Sequence, residues 1–466
     1  MHKKHLAGVA VIAAAAISLA GCTGSTPSPS SSSSSKTLTV WTVEDDATRV
    51  AAQKKIMADY TKKTGVKVDL VALGEDDLSN VLASSVAAGK KPDVIGAISI
   101  TGINQLATDN LVDTAAAADV IKSLGKDTFS QRALELTQSK SGAQLAVPSD
   151  GWAQLLFYRT DLFKKAGLKP PTTYAAIQKA AETLTKAGTA GIVASTAPAD
   201  SFTQQTFEHF ALANNCQLVN KSGKLTLNSS ACQDSLGYYA SLMKNDSVQG
   251  NQDADTTRAT YFAGQAGMVV WSSFLLDELA GLRNDALPTC PECENDPGYL
   301  AANTGIVSAI KGPDGSEPAS FGEIVSWAML KGASPAAKDF VKYMMGDGYK
   351  NWLSIAPEGK VPTRTGTSDT PSEFTDAWKN MTVGVDKKEL LSKAYPQSVL
   401  EAVVKSPNDF DRWGIPQGQG PLYAAVAGQF VIPQTLSSMI NSGVNAKDGA
   451  AQAQQQAETI RSDLGQ

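Results

Sequence analysis

Residues 37–73 read TLTVWTVEDDATRVAAQKKIMADYTKKTGVKVDLVAL, and their patterning decides the fold class. TLTVWTV (37–43) alternates apolar and polar side chains and is rich in β-branched residues, which suits a half-buried strand. Residues 47–63 set Val50, Met57 and Tyr60 on one helical face, and VKVDLVAL (66–73) alternates again after Gly65. Strand, helix and strand in this order make a βαβ unit, whose crossover helix requires parallel strands. Further on, Asp77 can cap a second helix with Leu78, Val81, Leu82 and Val86 along one side, and PDVIGAI (92–98) reads as a third, fully buried strand. The alternation predicts a parallel, doubly wound α/β sheet.

Downstream, GAQLAVPSDGWAQLLFY (142–158) reads as two apolar strands separated by a polar loop, and proline and threonine open a helix in PPTTYAAIQKAAETLTKAG. A second α/β lobe is expected to begin near Pro148. Helical patterns follow at 202–213, 231–244 and 256–264, then strand-like MVVW (268–271) and FGEIVSWAML (321–330) and the capped helix SPAAKDFVKYMM. The last hundred residues read mostly helical, and the Ala- and Gln-rich end reads as a surface helix or tail. A folded body of about 430 residues exceeds what one hydrophobic core serves, which favours two lobes.

The N-terminus reads MHKKH, then an apolar stretch from Leu6 to Ala20, then LAGC ending at Cys22. A basic start, an apolar run of about 15 residues and small residues before a cysteine describe a secretory signal, too short to span a bilayer as a helix of ~20 residues. The pattern resembles the bacterial lipoprotein cleavage box, which implies a signal peptide over 1–21 and a lipid thioether on Cys22. TGSTPSPSSSSSS (23–35) has no apolar side chain to bury, so 22–36 is expected to be an extended tether. The protein is therefore expected at the outer face of a cell membrane, whether extracellular or periplasmic.

Four cysteines remain, Cys216, Cys232, Cys290 and Cys293. In an oxidising compartment they suggest two disulfides, and of three connectivities the short spacings favour Cys216 with Cys232 and Cys290 with Cys293. A zinc ribbon would want a second CxxC pair or added histidines. Of the 3 histidines, His2 and His5 leave with the signal peptide, so His209 alone stays, too few for a His-rich metal site or a histidine-based triad. NQDADTTRATYF (251–262) starts like a calcium loop but places Thr256 and Phe262 where glycine and glutamate are required. Neither a P-loop nor a GxGxxG between strand and helix occurs. A net charge of -5 without a basic stripe argues against nucleic acid. No catalytic residue, metal or cofactor is expected.

What survives elimination is a set of acids and aromatics at strand ends, where ligands of open parallel sheets sit. Glu44 and Asp45 follow the first strand, and Ser99 follows the third. Asp150 and Trp152 lie at the supposed lobe boundary, Trp271 to Phe274 end an apolar strand, and Glu323 lies on the strand where the second lobe gives way. Carboxylates that accept from vicinal hydroxyls, beside aromatic faces that cover a ring's C–H face, are what a sugar needs.

At this point the chain resembles bacterial extracellular solute-binding proteins of carbohydrate ABC importers, the group that includes maltose-binding proteins. The carriers are LTVWT with its acidic loop and the helix to TGVKVDLV; KPDVI; VPSDGWAQLLFYRTDLFKKAGLKPPTTYAAI; FAGQAGMVVW; SPAAKDFVKYM; and GKVPTR. Arg159 departs from an asparagine frequent in the family. The resemblance implies a two-lobed, type II periplasmic-binding-protein-like α/β fold, each lobe a mainly parallel sheet flanked by helices, with several hinge crossings. It implies an N-terminal lobe of 37–147 and 321–363, and a C-terminal lobe of 148–320 and 364–466. Matched residue by residue, it adds Phe202 and Tyr423 to the ligand set; Arg412 and Trp413 join by their loop position. The implied function is capture of a di- or oligosaccharide by a monomeric, non-enzymatic receptor that closes on it and delivers it to a membrane permease. The rivals are a surface-anchored glycoside hydrolase and a ligand-free adhesion or assembly protein.

Overall fold

The structure, a computed structural model, describes residues 37–465. The signal sequence, Cys22 and the tether lie outside the described residues.

The opening unit forms as its pattern demands. β1 (Thr37–Thr42) and β2 (Lys67–Ala72) flank a helix over Ala47–Thr64, and β3 (Val94–Ile98) follows a helix over Leu78–Ala87. β1 pairs in parallel with both, Thr37 opposite Lys67 and Val40 opposite Val94. Asp46 caps the first helix by accepting from the Arg49 N–H, Gly65 ends it at φ 75°, and Ile56, Met57 and Tyr60 are its buried apolar residues. A left-handed end of this kind is where glycine avoids the strain a Cβ would bring.

The segment expected as two strands and a loop is a single 13-residue strand, β4 (Val147–Arg159). Its polar stretch stays extended because its polar groups find partners at once: the Ser149 hydroxyl donates to Asp150, and the Trp352 indole N–H donates to Asp150 Oδ1 at 2.6 Å. The register slips between Pro148 and Asp150, a bulge that accommodates a proline lacking the ladder donor.

Four further strands extend the frame: β5 (Met268–Ser272), β6 (Thr304–Val307), β7 (Ser320–Met329) and β8 (Val361–Pro362). The order β2-β1-β3-β7-β4-β5 makes one sheet in which β6 and β8 also pair with β4. The parallel pairing expected throughout holds for β1 to β3, and Val193 bridges Val269 in parallel beside β5. β7 instead pairs antiparallel with β3 and β4, and in parallel with the short strand Phe410–Asp411, while β4 is antiparallel to β5, β6, β7 and β8. β4 changes partners midway, pairing with β7 from Val147 to Ala153 and with β5 and β6 from Gln154 to Arg159.

Buried aromatic residues gather in two clusters. Trp327, Phe340 and Trp352 pack behind β3 and β7, whereas Phe207, Phe210, Tyr239 and Trp413 pack beyond β4. The Ala- and Gln-rich end, expected as a surface helix or tail, is an 18-residue helix, Ala446–Asp463, with Ala450, Ala453, Ala457 and Ile460 buried. Cys216 bonds to Cys232 and Cys290 to Cys293, the pairing the spacings favour. Among the described residues no helix is long and apolar enough to cross a membrane.

Candidate functional site

Two ion networks and a row of aromatic rings meet where β4, β7 and β8 cross. In the first network Glu44, just past β1, sits 2.8 Å from Lys360 Nζ, with Arg49 at 3.4 Å and the Gln53 amide at 3.2 Å. Lys360 Nζ also stands 3.6 Å from Asp150 Oδ2 and 4.0 Å from the centroid of the Trp352 ring. Asp150 is fully buried, and burial pushes its carboxyl above the usual range against the pull of Lys360. Asp150 is therefore a strand residue locked inside the protein, where a polar loop was expected. Asp45 is exposed, and Ser99 caps the helix Ile100–Thr108 by accepting from the Gly102 N–H at 3.2 Å.

The second network centres on Arg412, which is 3% exposed. Its guanidinium donates to Glu323 Oε2, while Glu323 Oε1 accepts from the Ile100 N–H at 2.8 Å. It lies 4.6 Å over the Phe321 ring and 5.1 Å over Tyr423, a cation between two π faces. Its Nε is 3.8 Å from Glu208 Oε1, which also accepts from the Trp413 N–H at 2.8 Å. Burial pushes the Glu208 carboxyl up to about 7, opposed first by Arg412.

Between the networks, Trp152 lies 5.7 Å from Phe321 and 6.3 Å from Phe274, ring to ring. Gly359, next to Lys360, leaves room for Phe274: an added Cβ would fall 2.1 Å from that ring. A row of neighbouring groups thus runs from Gly359 through Phe274, Trp152 and Phe321 to Arg412. Trp152, Phe274 and Glu323 keep partial exposure. Phe202 and Trp271 form a second pair 5.3 Å apart, with the Trp271 indole N–H donating to Ala254 O at 3.0 Å.

The structure thus joins Glu44 with Asp150, and Glu323 with Arg412 and Tyr423. It places Trp413 differently: that side chain is fully buried, its indole N–H given to Cys216 O at 2.8 Å and its ring against Phe207, so it serves the core. Lys360, Glu208 and Phe321 were not singled out by sequence reasoning. Lys360 was visible only as part of GKVPTR, and Glu208 only as an acid inside the apolar helix FEHF. His209 is a core residue with neither ring nitrogen hydrogen-bonded, and desolvation pulls its pKa down to about 3. Asp253 of the calcium-like stretch caps the helix Ala254–Phe262 in a reciprocal arrangement with Thr256. A surface depression of about 640 Å³ beside Tyr174 and Tyr238 shares no residue with the constellation.

Residues 45–351 match the model of the bacterial extracellular solute-binding proteins. The chain belongs to that family. A curated relative, the ABC transporter periplasmic-binding protein YcjN of Escherichia coli (strain K12), is 26% identical over 413 residues, covering 86% of this chain and 89% of its own. Among solved structures, the cyclic alpha-maltosyl-1,6-maltose binding protein of Arthrobacter globiformis superposes with a TM-score of 0.68 at 18% identity, covering 91% of this chain and 98% of that one. The extracellular solute-binding protein of Staphylococcus aureus in complex with maltose gives 0.67 at 19% identity, covering 92% and 98%. Maltose-bound MalE3 of T. maritima gives 0.62 at 18%, covering 91% and 99%. The fold is accordingly the two-lobed one of these binding proteins.

Proposed function

We propose that this protein is the substrate-binding component of an ABC importer, anchored outside the membrane by lipid on Cys22, and that it captures a neutral di- or oligosaccharide. The observation that carries the reading is the aromatic row Trp152, Phe274 and Phe321 between two sets of paired acids. Trp152 and Phe274, both partly exposed, offer flat apolar faces to sugar rings with buried Phe321 backing Trp152, and the acids beside them offer acceptors to hydroxyls. Glu44, Asp150 and Glu323 are each held by a lysine or arginine, an arrangement that suits fixed hydrogen bonding better than the proton exchange a glycosidase needs. The solved relatives that bind maltose or a cyclic maltosyl-maltose support the same ligand class.

In this reading the lobes are 37–147 with 321–363, and 148–320 with 364–466. Ligand contacts from both lobes exist only when the lobes close, so ligand shifts the population toward the closed form by its differential affinity. Glu44, Asp45, Ser99 and Glu323 face Trp152, Phe202, Trp271, Phe274, Arg412 and Tyr423 across the cleft. The Ser- and Pro-rich tether lets the receptor reach its permease without leaving the membrane.

Isothermal calorimetry of residues 36–466 against mono-, di- and oligosaccharides tests the ligand class. Saturable binding that quenches tryptophan fluorescence is expected, and silence across the panel would overturn it. Fractionation of cells that express Cys22→Ala tests the anchor: the variant should leave the membrane fraction.

A further inference from the structure

We infer that Ala97 is a positioning residue for the ligand site: a bulge in β3, shaped by the left-handed backbone of Ala97, delivers the Ile100 N–H to Glu323 and so fixes that carboxylate for its ligand. The inference rests on the binding reading above, which counts Glu323 among the ligand residues, and adds to it a residue that acts through another.

β3 and β7 pair antiparallel, with Val94 opposite Met329 and Ile95 opposite Ala328, but Ile98 stands opposite Ser326. Gly96 and Ala97 therefore share Trp327 as their single counterpart, the two-against-one count of a bulge. Along a regular strand side chains alternate between faces, so residues three apart belong on opposite faces. In β3 they do not: Val94 and Ala97 pack in one hydrophobic cluster, and Ile95 and Ile98 in another. The extra residue resets the alternation before the strand ends.

Two small residues make this possible. The Trp327 ring lies so close to Gly96 that a Cβ there would fall 2.2 Å from it. Ala97, 7% exposed, takes φ 56°, a left-handed conformation that is costly for a residue with a Cβ and persists only where the surroundings impose it. Among the described residues Asn110, Asn215 and Phe430 also have positive φ without being glycine, and all three stand beside helix ends. Ala97 alone lies inside a strand, one whose five residues are all buried.

The bulge leads straight into the site. Ser99 caps the helix Ile100–Thr108, and the Ile100 N–H, the first of that helix, donates to Glu323 Oε1 at 2.8 Å. Glu323 Oε2 accepts from Arg412. A carboxylate has about four lone-pair sites, so two anchors orient the partly exposed Glu323 and still leave acceptors for ligand hydroxyls. Without the extra residue β3 would leave the sheet one residue out of phase, with Ile98 turned away from the cluster of Ile95 and the Ile100 N–H no longer aimed at Glu323.

Double-mutant cycles on residues 36–466, read by calorimetry with a saccharide that binds and by Tm, test this. Ala97→Val, whose branched side chain is excluded from the left-handed region, should bind about tenfold more weakly. Ala97→Gly, which keeps that backbone, should bind as the wild type does. In a Glu323→Ala background Ala97→Val should cost no further affinity, because the bond it disrupts is already gone. Ile100→Pro gives the same readout should Ala97→Val fail to fold: Ser99 at ψ 164° admits a following proline, and the first helical position tolerates one. It deletes the N–H that Glu323 accepts and leaves β3 unchanged. An undiminished loss in the Glu323→Ala background, or an Ala97→Gly protein as weak as Ala97→Val, would overturn the inference. If the wild type binds no saccharide, the carbohydrate reading falls by itself and the cycle read in Tm decides. Losses for Ile100→Pro and Glu323→Ala that add in full would then refute the coupling, and losses clearly less than additive would uphold it.

Discussion

Lys360→Met removes one positive charge from the most enclosed part of the first network and leaves the shape nearly intact. Methionine can keep the apolar contact that Lys360 makes 4.0 Å above the Trp352 ring. Glu44 retains Arg49 at 3.4 Å and the Gln53 amide at 3.2 Å, but Asp150 Oδ2, fully buried, loses the cation that stood 3.6 Å away. Breaking a buried pair by deleting one partner costs about 3–5 kcal/mol. For about 430 folded residues at roughly 2.1 cal/mol/K each, the unfolding entropy is near 0.9 kcal/mol/K, so Tm should fall by about 3–6 °C. Asp150 already titrates above the usual range, and without Lys360 it will titrate higher still. The loss is therefore largest at pH 7–8 and shrinks as acid protonates Asp150, whose neutral form needs no cation. Asp150→Asn in the Lys360→Met background should restore most of the stability at pH 8. Differential scanning calorimetry at pH 8 and pH 5 reads all three effects. A fall below about 1 °C at pH 8, or one that grows toward acid, would show that Lys360 does not hold Asp150 in this way.

Trp152→Ala should weaken saccharide binding by about 2 kcal/mol, roughly 30-fold, without a comparable loss of Tm, since the ring is partly exposed; equal affinity in calorimetry would remove it from the ligand set. His209→Leu should make the protein more acid-resistant. The buried imidazole, neutral down to about 3, contributes stability that is lost as pH falls below about 6.5, where the unfolded chain takes up the proton; the Tm gap between variant and wild type should widen from pH 7 to pH 4. Replacing Cys216 and Cys232 together by serine opens a loop with a sequence separation of 16 and should cost about 3 kcal/mol in urea unfolding. The same change at Cys290 and Cys293, separated by 3, should cost clearly less.

The parts of the fold that could be read from sequence are those where local pattern and tertiary role agree. VKVDLVAL alternates because β2 is a half-covered strand, and VIGAI (94–98) is uniformly apolar because β3 is buried throughout. The reading of PSDG as a loop failed for a physical reason. Polar residues in a strand look like a turn until Trp352 and Lys360, some two hundred positions away, are known to satisfy them. Trp413 misled similarly: its loop position suggested access, yet Cys216 O and Phe207 were waiting for it in the core. Single-residue environments of this kind depend on long-range placement, which periodicity does not carry. Glu44, Trp152, Phe274, Glu323 and Arg412, picked out separately at strand ends and in loops, lie in one region of the structure because strand ends and crossings are few.

The crossing segment PEGKVPTR (357–364) shows how a motif used to recognise the family can serve the frame of a site. Lys360 fastens Glu44 to Asp150 on one side of β8. On the other side Arg364, 2% exposed, donates to Leu124 O at 2.6 Å and to Thr128 Oγ1 at 2.9 Å, and its guanidinium lies 5.5 Å over Phe129 and 5.2 Å over Phe374. Two buried cations four residues apart thus pin the crossing whose preceding turn, Pro357–Gly359, places Gly359 beneath Phe274. A bidentate, π-stacked arginine is not replaceable by lysine. Arg364→Lys should therefore loosen the crossing while leaving every aromatic of the row in the sequence. If the row depends on that frame, the variant will bind saccharide more weakly than wild type with a faster off-rate in stopped-flow fluorescence. An unchanged off-rate would mean that the ligand residues hold their geometry without the crossing, and that Lys360 and Arg364 act on stability alone.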